Sequence, residues 1–210
     1  MKINLWRITL IFLLLGGLAC KDQITNEVII PDDLTITPKE QKLTEVGWKA
    51  FKNGDLPTAK SNFLLAINTN SFYADAYNGL GWVYARIDSL DLSLSYFTLG
   101  ENWATNNNLL RDIYAGRSFV NLALDYYADA ISDVNNTLNP YYYNVDKYVF
   151  RYDLSITETD LLLVEAESWF LLGEYQNCYE TLLIIDDTLE ISASNPEELA
   201  TVIENLREIV

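Results

Sequence analysis

Only Cys20 and Cys178 carry a thiol in this 210-residue chain, and histidine is absent. That excludes His-based acid–base catalysis, Ser-His-Asp and Cys-His arrangements, and an ordinary His/Cys zinc site. The remaining reactive groups are carboxylates. Asp186-Asp187 has the chemistry of a glycoside-hydrolase pair, but the chain holds 30 acids and nothing in their spacing sets a carboxylate separation. Asp125, Asp129 and Asp133 stand at i, i+4 and i+8. On one helix they would stack like charges at ~0.2–0.5 kcal/mol per pair, which reads as a solvated face or as a site for a cation or a basic partner. Gly79 and Gly81 are followed by Tyr84 where a phosphate loop needs a third glycine, and there is no nucleophile elbow or EF-hand loop. These residues point away from an enzyme, and no cofactor and no metal are expected.

Charge narrows the partner class. The net charge of -16 disfavours a nucleic-acid partner, because phosphate-backbone binding needs a basic surface that releases counterions. The acid is concentrated late: residues 118–210 hold three cations against eighteen acids. That end reads as a solubilising surface or as a face for a basic protein partner. With half its residues hydrophobic and only 5 prolines, the chain has the composition of a folded domain.

Lys2 and Arg7 precede the apolar run Ile8 to Leu15, which leads into Gly16-Gly17-Leu18-Ala19-Cys20. Eight apolar residues at ~1.5 Å each cannot cross a ~30 Å hydrocarbon core, so the segment reads as a secretory signal. Ala19-Cys20 resembles the lipobox of bacterial lipoproteins, although Gly17 stands where that family favours leucine. The resemblance implies cleavage after residue 19 and acylation of Cys20 in the cell envelope. The alternative is a cut elsewhere that leaves Cys20 as a free thiol. Lys21-Asp22 resembles the short export signals of surface lipoproteins in some Bacteroidetes-type bacteria; the pair alone leaves inner and outer membrane open, and the outer membrane is the first expectation. Residues 20–36 read as a flexible tether.

The elements that follow are helical. Thr37-Pro38-Lys39-Glu40 predicts a capped helix start, and Gly54-Asp55 predicts a break. A second helix then carries Ala59, Phe63, Ala66 and Ile67 on one face. Gly47 and Gly81, Ala59 and Ser93, Phe63 and Phe97, and Ala66 and Gly100 are each 34 residues apart. The period and the small/large alternation resemble the tetratricopeptide repeat (TPR). A third copy around Asp112 to Phe119 and Tyr126 to Leu138 lacks a turn glycine. A fourth carries Ala166, Trp169, Gly173-Glu174-Tyr175, Cys178, Leu182 and Ile185, with Cys178 as a small buried hydrophobe. Asn195-Pro196 opens a last helix with Leu199, Val202, Ile203, Leu206 and Ile209 on one stripe, as a terminal cap needs.

The resemblance implies an all-α, right-handed solenoid of about four repeats with a C-terminal capping helix. The repeats span 37–187, and a loop and cap span 188–210. It also implies a concave groove lined by the first helices. In the 34-residue register those positions are Trp48, Phe51, Lys52, Asn78, Trp82 and Arg86, which fit a protein or peptide partner unless the two tryptophans pack between repeats instead. Together with the lipobox, this implies a membrane-anchored interaction module or scaffold of the envelope. The alternative is an accessory lipoprotein of outer-membrane assembly or transport machinery.

Residues 139–160 depart from the repeat and read as an insertion. Tyr141, Tyr142, Tyr143, Tyr148, Phe150 and Tyr152 crowd it, and Tyr148 to Tyr152 alternates as a short strand does. Thr157 with Asp160 predicts the next helix cap. Tyr142, Tyr148 and Phe150 then either belong to a recognition loop at the groove mouth or fold back to plug the third and fourth repeats.

Overall fold

The computed structural model describes residues 37–139 and 147–209. Cys20 and Tyr142 therefore lie outside the described residues, as do Tyr141 and Tyr143. Among the described residues there are nine helices: α1 (Lys39–Lys52), α2 (Leu56–Thr69), α3 (Ala74–Arg86), α4 (Leu90–Trp103), α5 (Asn107–Ala123), α6 (Tyr127–Leu138), α7 (Glu158–Leu171), α8 (Tyr175–Ile185) and α9 (Pro196–Ile209). Consecutive helices pair as hairpins. The first helices α1, α3, α5 and α7 pack side by side in chain order, and α9 covers α7 and α8. This is an all-α TPR-type solenoid of four helix pairs with a capping helix. No helix among the described residues is long and apolar enough to cross a membrane.

The hairpin turns share one backbone device. Gly54 and Gly173 sit at positive φ in the first and fourth turns, at +75° and +78°. Asp88, 34 residues after Gly54, takes φ 58°, and Asp125 takes φ 62° in the third turn. Aspartate tolerates this left-handed conformation better than most side chains, so it substitutes for the glycine missing from the third copy. The start of α1 differs from expectation. Pro38 is its cap residue and no side chain caps it, while Glu40 instead accepts a hydrogen bond from Asn70 at 3.1 Å.

Packing explains the 34-residue period. A methyl group added to Gly47 or Gly79 would lie 2.6 or 2.4 Å from the Phe63 ring, so this phenylalanine is clamped between a glycine of its own repeat and one of the next. Phe97 is clamped in the same way by Gly81 and Gly116, at 2.5 and 2.4 Å. Counting from the turn residues, the third repeat puts Val134 at the phenylalanine position, with Ser118 and Val164 at the flanking small positions. All three are buried. The large residue shrinks and its neighbours grow, which keeps the volume filled.

The acidic row does not form one face. Asp125 lies in the turn and Asp129 is exposed, whereas Asp133 is buried and chelated by Arg117 through two 2.8 Å hydrogen bonds. Asn121 donates to Asp133 at 2.9 Å, and Arg117 also pairs with Glu101 of α4. The expected stack of like charges thus fails because the turn displaces its first member and the fold neutralises its last.

Candidate interaction groove

A short hairpin between α6 and α7 occupies the face formed by the first helices. Val149 bridges Thr157, Phe150 N–H donates to Ile156 C=O at 2.9 Å, and Glu158 N–H donates to Tyr148 C=O at 2.9 Å. Asp160 anchors the hairpin's end by accepting from Thr157 N–H at 2.7 Å, as a capping box does. The alternation read from Tyr148 to Tyr152 is present. Tyr148 and Phe150 are buried, and Val149 and Arg151 face outward.

The inward rings meet the two groove tryptophans. Phe150 stacks on Trp82 with centroids 4.3 Å apart, and Tyr152 stacks on Trp48 at 3.8 Å with planes 4° apart. Phe150 also meets the edge of Trp48 at 5.9 Å. Tyr148 O–H donates to Asp112 of α5 at 3.3 Å, and Arg151 Nε lies 2.9 Å from the other oxygen of Asp112. Asp153 at the turn pairs with Arg86, and the Lys52 ammonium lies 5.6 Å from the Tyr152 ring centre. The hairpin therefore packs against α1, α3 and α5, the first helices of the first three repeats, and its buried rings share one core with Leu161 and Val164 of α7.

Of the six positions carried over by register, Trp48, Phe51, Asn78 and Trp82 are buried, while Lys52 and Arg86 stay exposed at the rim. Asp75, Asp112, Arg151 and Asp153 complete the arrangement and were not singled out from the sequence. Asp75 accepts from Trp48 Nε1 at 3.1 Å. Asn78 lies close enough to Asp75 to favour its charged form. Even so, neither end of the Asn78 amide closes a hydrogen bond, and Trp82 Nε1 is likewise buried without a partner. Each such group costs ~1–3 kcal/mol when left unpaired. Cavities of 580 and 440 Å³ flank Tyr152, one beside Arg86 and Asp153 and the other beside Asp75 and Thr44.

Burial pushes the Asp112 carboxyl up to about 6, against the pull of Arg151. Burial raises Asp75 and Asp133 as well. These groups hold protons more tightly folded than unfolded, so stability rises as pH falls through 6 toward the ordinary carboxylate range and is flat well above 6. Hydrogen bonds from Thr58 and Thr188 hold Asp55 and Asp186 below their ordinary value, so their contribution is lost only in stronger acid. The melting temperature should therefore be higher near pH 5 than at pH 7.5, and Asp112→Asn should flatten that rise. A melting temperature that falls steadily from pH 7.5 to 5 contradicts this account.

Cys178 is fully buried, and burial raises its thiol to about 11, as suits a packing residue. Among the described residues no group of His, Cys, Asp or Glu is arranged to hold a metal ion.

No protein-family model matches the sequence, and no curated protein matches it significantly. Among solved structures, the fold is similar to a tetratricopeptide repeat protein from Parabacteroides merdae, with a TM-score of 0.54 and 17% sequence identity. The match covers 81% of this chain and 61% of that one. This likeness at the level of the fold places the chain among TPR-type helical solenoids.

Proposed function

We propose that the chain is a lipid-anchored interaction module of the bacterial cell envelope, held by an acylated Cys20, which presents its first-helix groove to a protein partner. The observation that carries the reading is the way α1, α3 and α5 hold an extended segment. Trp48 and Trp82 offer flat faces for two rings, and charged groups at Asp112 and Arg86 take its polar ends. Aromatic faces flanked by charge supply both contact area and orientation for a peptide. The acidic C-terminal half favours a partner of basic character.

The anchor rests on the residues that lead into Cys20. A single acyl chain holds only weakly, whereas several give stable membrane attachment. Cys20→Ser is expected to move the protein from the membrane fraction and the detergent phase into the soluble fraction. Retention in the membrane fraction would remove the anchor from this reading. For the module, a photo-crosslinker at position 86 should give a discrete adduct in living cells, whereas one at exposed Ile184 should not. The groove reading fails if position 86 yields none.

A further inference from the structure

We infer that residues 147–157 are a resident pseudo-ligand of the groove, and that its partner is an extended peptide carrying two aromatic side chains on either side of an arginine or lysine. The inference rests on the groove reading above and names the partner's chemistry.

The hairpin's attachment is of the exchangeable kind. Its backbone hydrogen bonds are internal, and among the described residues no backbone hydrogen bond ties it to α1, α3 or α5. Ring stacks and side-chain charge pairs hold it there, and a second chain could supply both in the same places. The floor beneath it is acidic. Arg151 lies 2.9 Å from buried Asp112, and its charge also reaches Asp75, which keeps its bond from Trp48, so an occupant without a cation would strip Asp112 of its charge partner. Phe150-Arg151-Tyr152 therefore spells out the required pattern, with one ring on Trp82, one on Trp48, and a cation at Asp112.

The resident segment is also an incomplete ligand. Cavities remain on either side of Tyr152, and Thr44 Oγ1, on the wall of one of them, has no hydrogen-bond partner. A longer peptide lying in the groove has carbonyl and amide groups to offer there. Competition by the tethered hairpin follows from its effective concentration, which for a short connection is on the order of a millimolar.

The test uses a fluorescent peptide of sequence 147–157 as probe and the full chain as receptor. The Arg151→Ala, Asp153→Ala double variant loses the charge pairs with Asp112 and Arg86, and Phe150→Ser loses the central stack. Both should bind the peptide at least tenfold more tightly than the wild type, whose own hairpin competes. Replacing the probe's arginine with alanine should weaken binding at least tenfold. Circular dichroism shows whether Phe150→Ser is folded; if it is not, the double variant alone decides. Equal affinity for wild type and double variant overturns the inference, as does indifference to the probe's arginine. If the variants instead form dimers through exchanged hairpins, the occupant is a second copy and a peptide partner is ruled out. Should the peptide fail while position 86 still cross-links in cells, only this inference falls. Failure of both removes the groove reading itself.

Discussion

A Gly116→Leu variant is expected to show no cooperative melt at all. A β-carbon at this position would lie 2.4 Å from Phe97 Cζ and 2.8 Å from Trp82 Cε2, and both rings are buried. Trp82 can retreat only if Phe150, stacked at 4.3 Å from it, moves as well. Overpacking ordinarily costs ~1–3 kcal/mol, and here four added carbons must displace two aromatic rings that join the second and third repeats. A drop of that size or more is a large share of a total stability of ~5–15 kcal/mol. Gly100→Ala is the matched control, since its β-carbon would come no closer than 3.2 Å, to the tip of Ile113, with Asn78 N and Tyr77 Cβ at 3.4 Å, and alanine gains helix propensity. It should melt within a few degrees of wild type. Comparable melts for Gly116→Leu and wild type would mean that the glycine–phenylalanine clamp is not what spaces the repeats.

Arg117→Met should cost ~3–5 kcal/mol, because it strands the buried Asp133 carboxylate. Arg117 joins three helices, holding Asp133 of α6 with two 2.8 Å bonds and Glu101 of α4 with its remaining nitrogen. Burial already pushes Asp133 toward its neutral form, and the guanidinium opposes that push. Adding Asp133→Asn to Arg117→Met should therefore recover much of the loss, since the amide carries no charge and can still accept from Asn121. Chemical denaturation of the single and double variants gives the coupling directly. If the double variant is less stable than Arg117→Met alone, the stranded charge is the wrong explanation.

The helix pairs were legible because their causes are local and periodic. Gly47 and Gly81, and Phe63 and Phe97, recur 34 residues apart because each phenylalanine must nest in glycine gaps of two successive repeats. The third repeat was harder to read for a physical reason. Its turn uses Asp125 at positive φ instead of glycine, and Val134 replaces the large ring. The groove was legible only in part. Register alone picked out Trp48 and Trp82, and alternation picked out Tyr148 to Tyr152, but nothing in either pattern says that the second set lies on the first. Arg86 and Asp153 are 67 residues apart, and Tyr148 and Asp112 are 36 apart. Such pairs obey no short period, so their meeting is a property of the packed solenoid.

Helix α7 serves two masters. Leu161 and Val164 belong to the large core that runs back through the first three repeats, whereas Leu163 and Ala166 belong to a smaller one shared with Cys178, Leu182, Leu199 and Ile203. A solenoid with two cores has two opening modes. Amide protons of α8 and α9 should exchange through a partial opening that leaves α1 to α6 protected, and at denaturant concentrations too low to unfold the whole chain. A protease would then find its first foothold from Tyr175 onward, and the groove would outlive the cap.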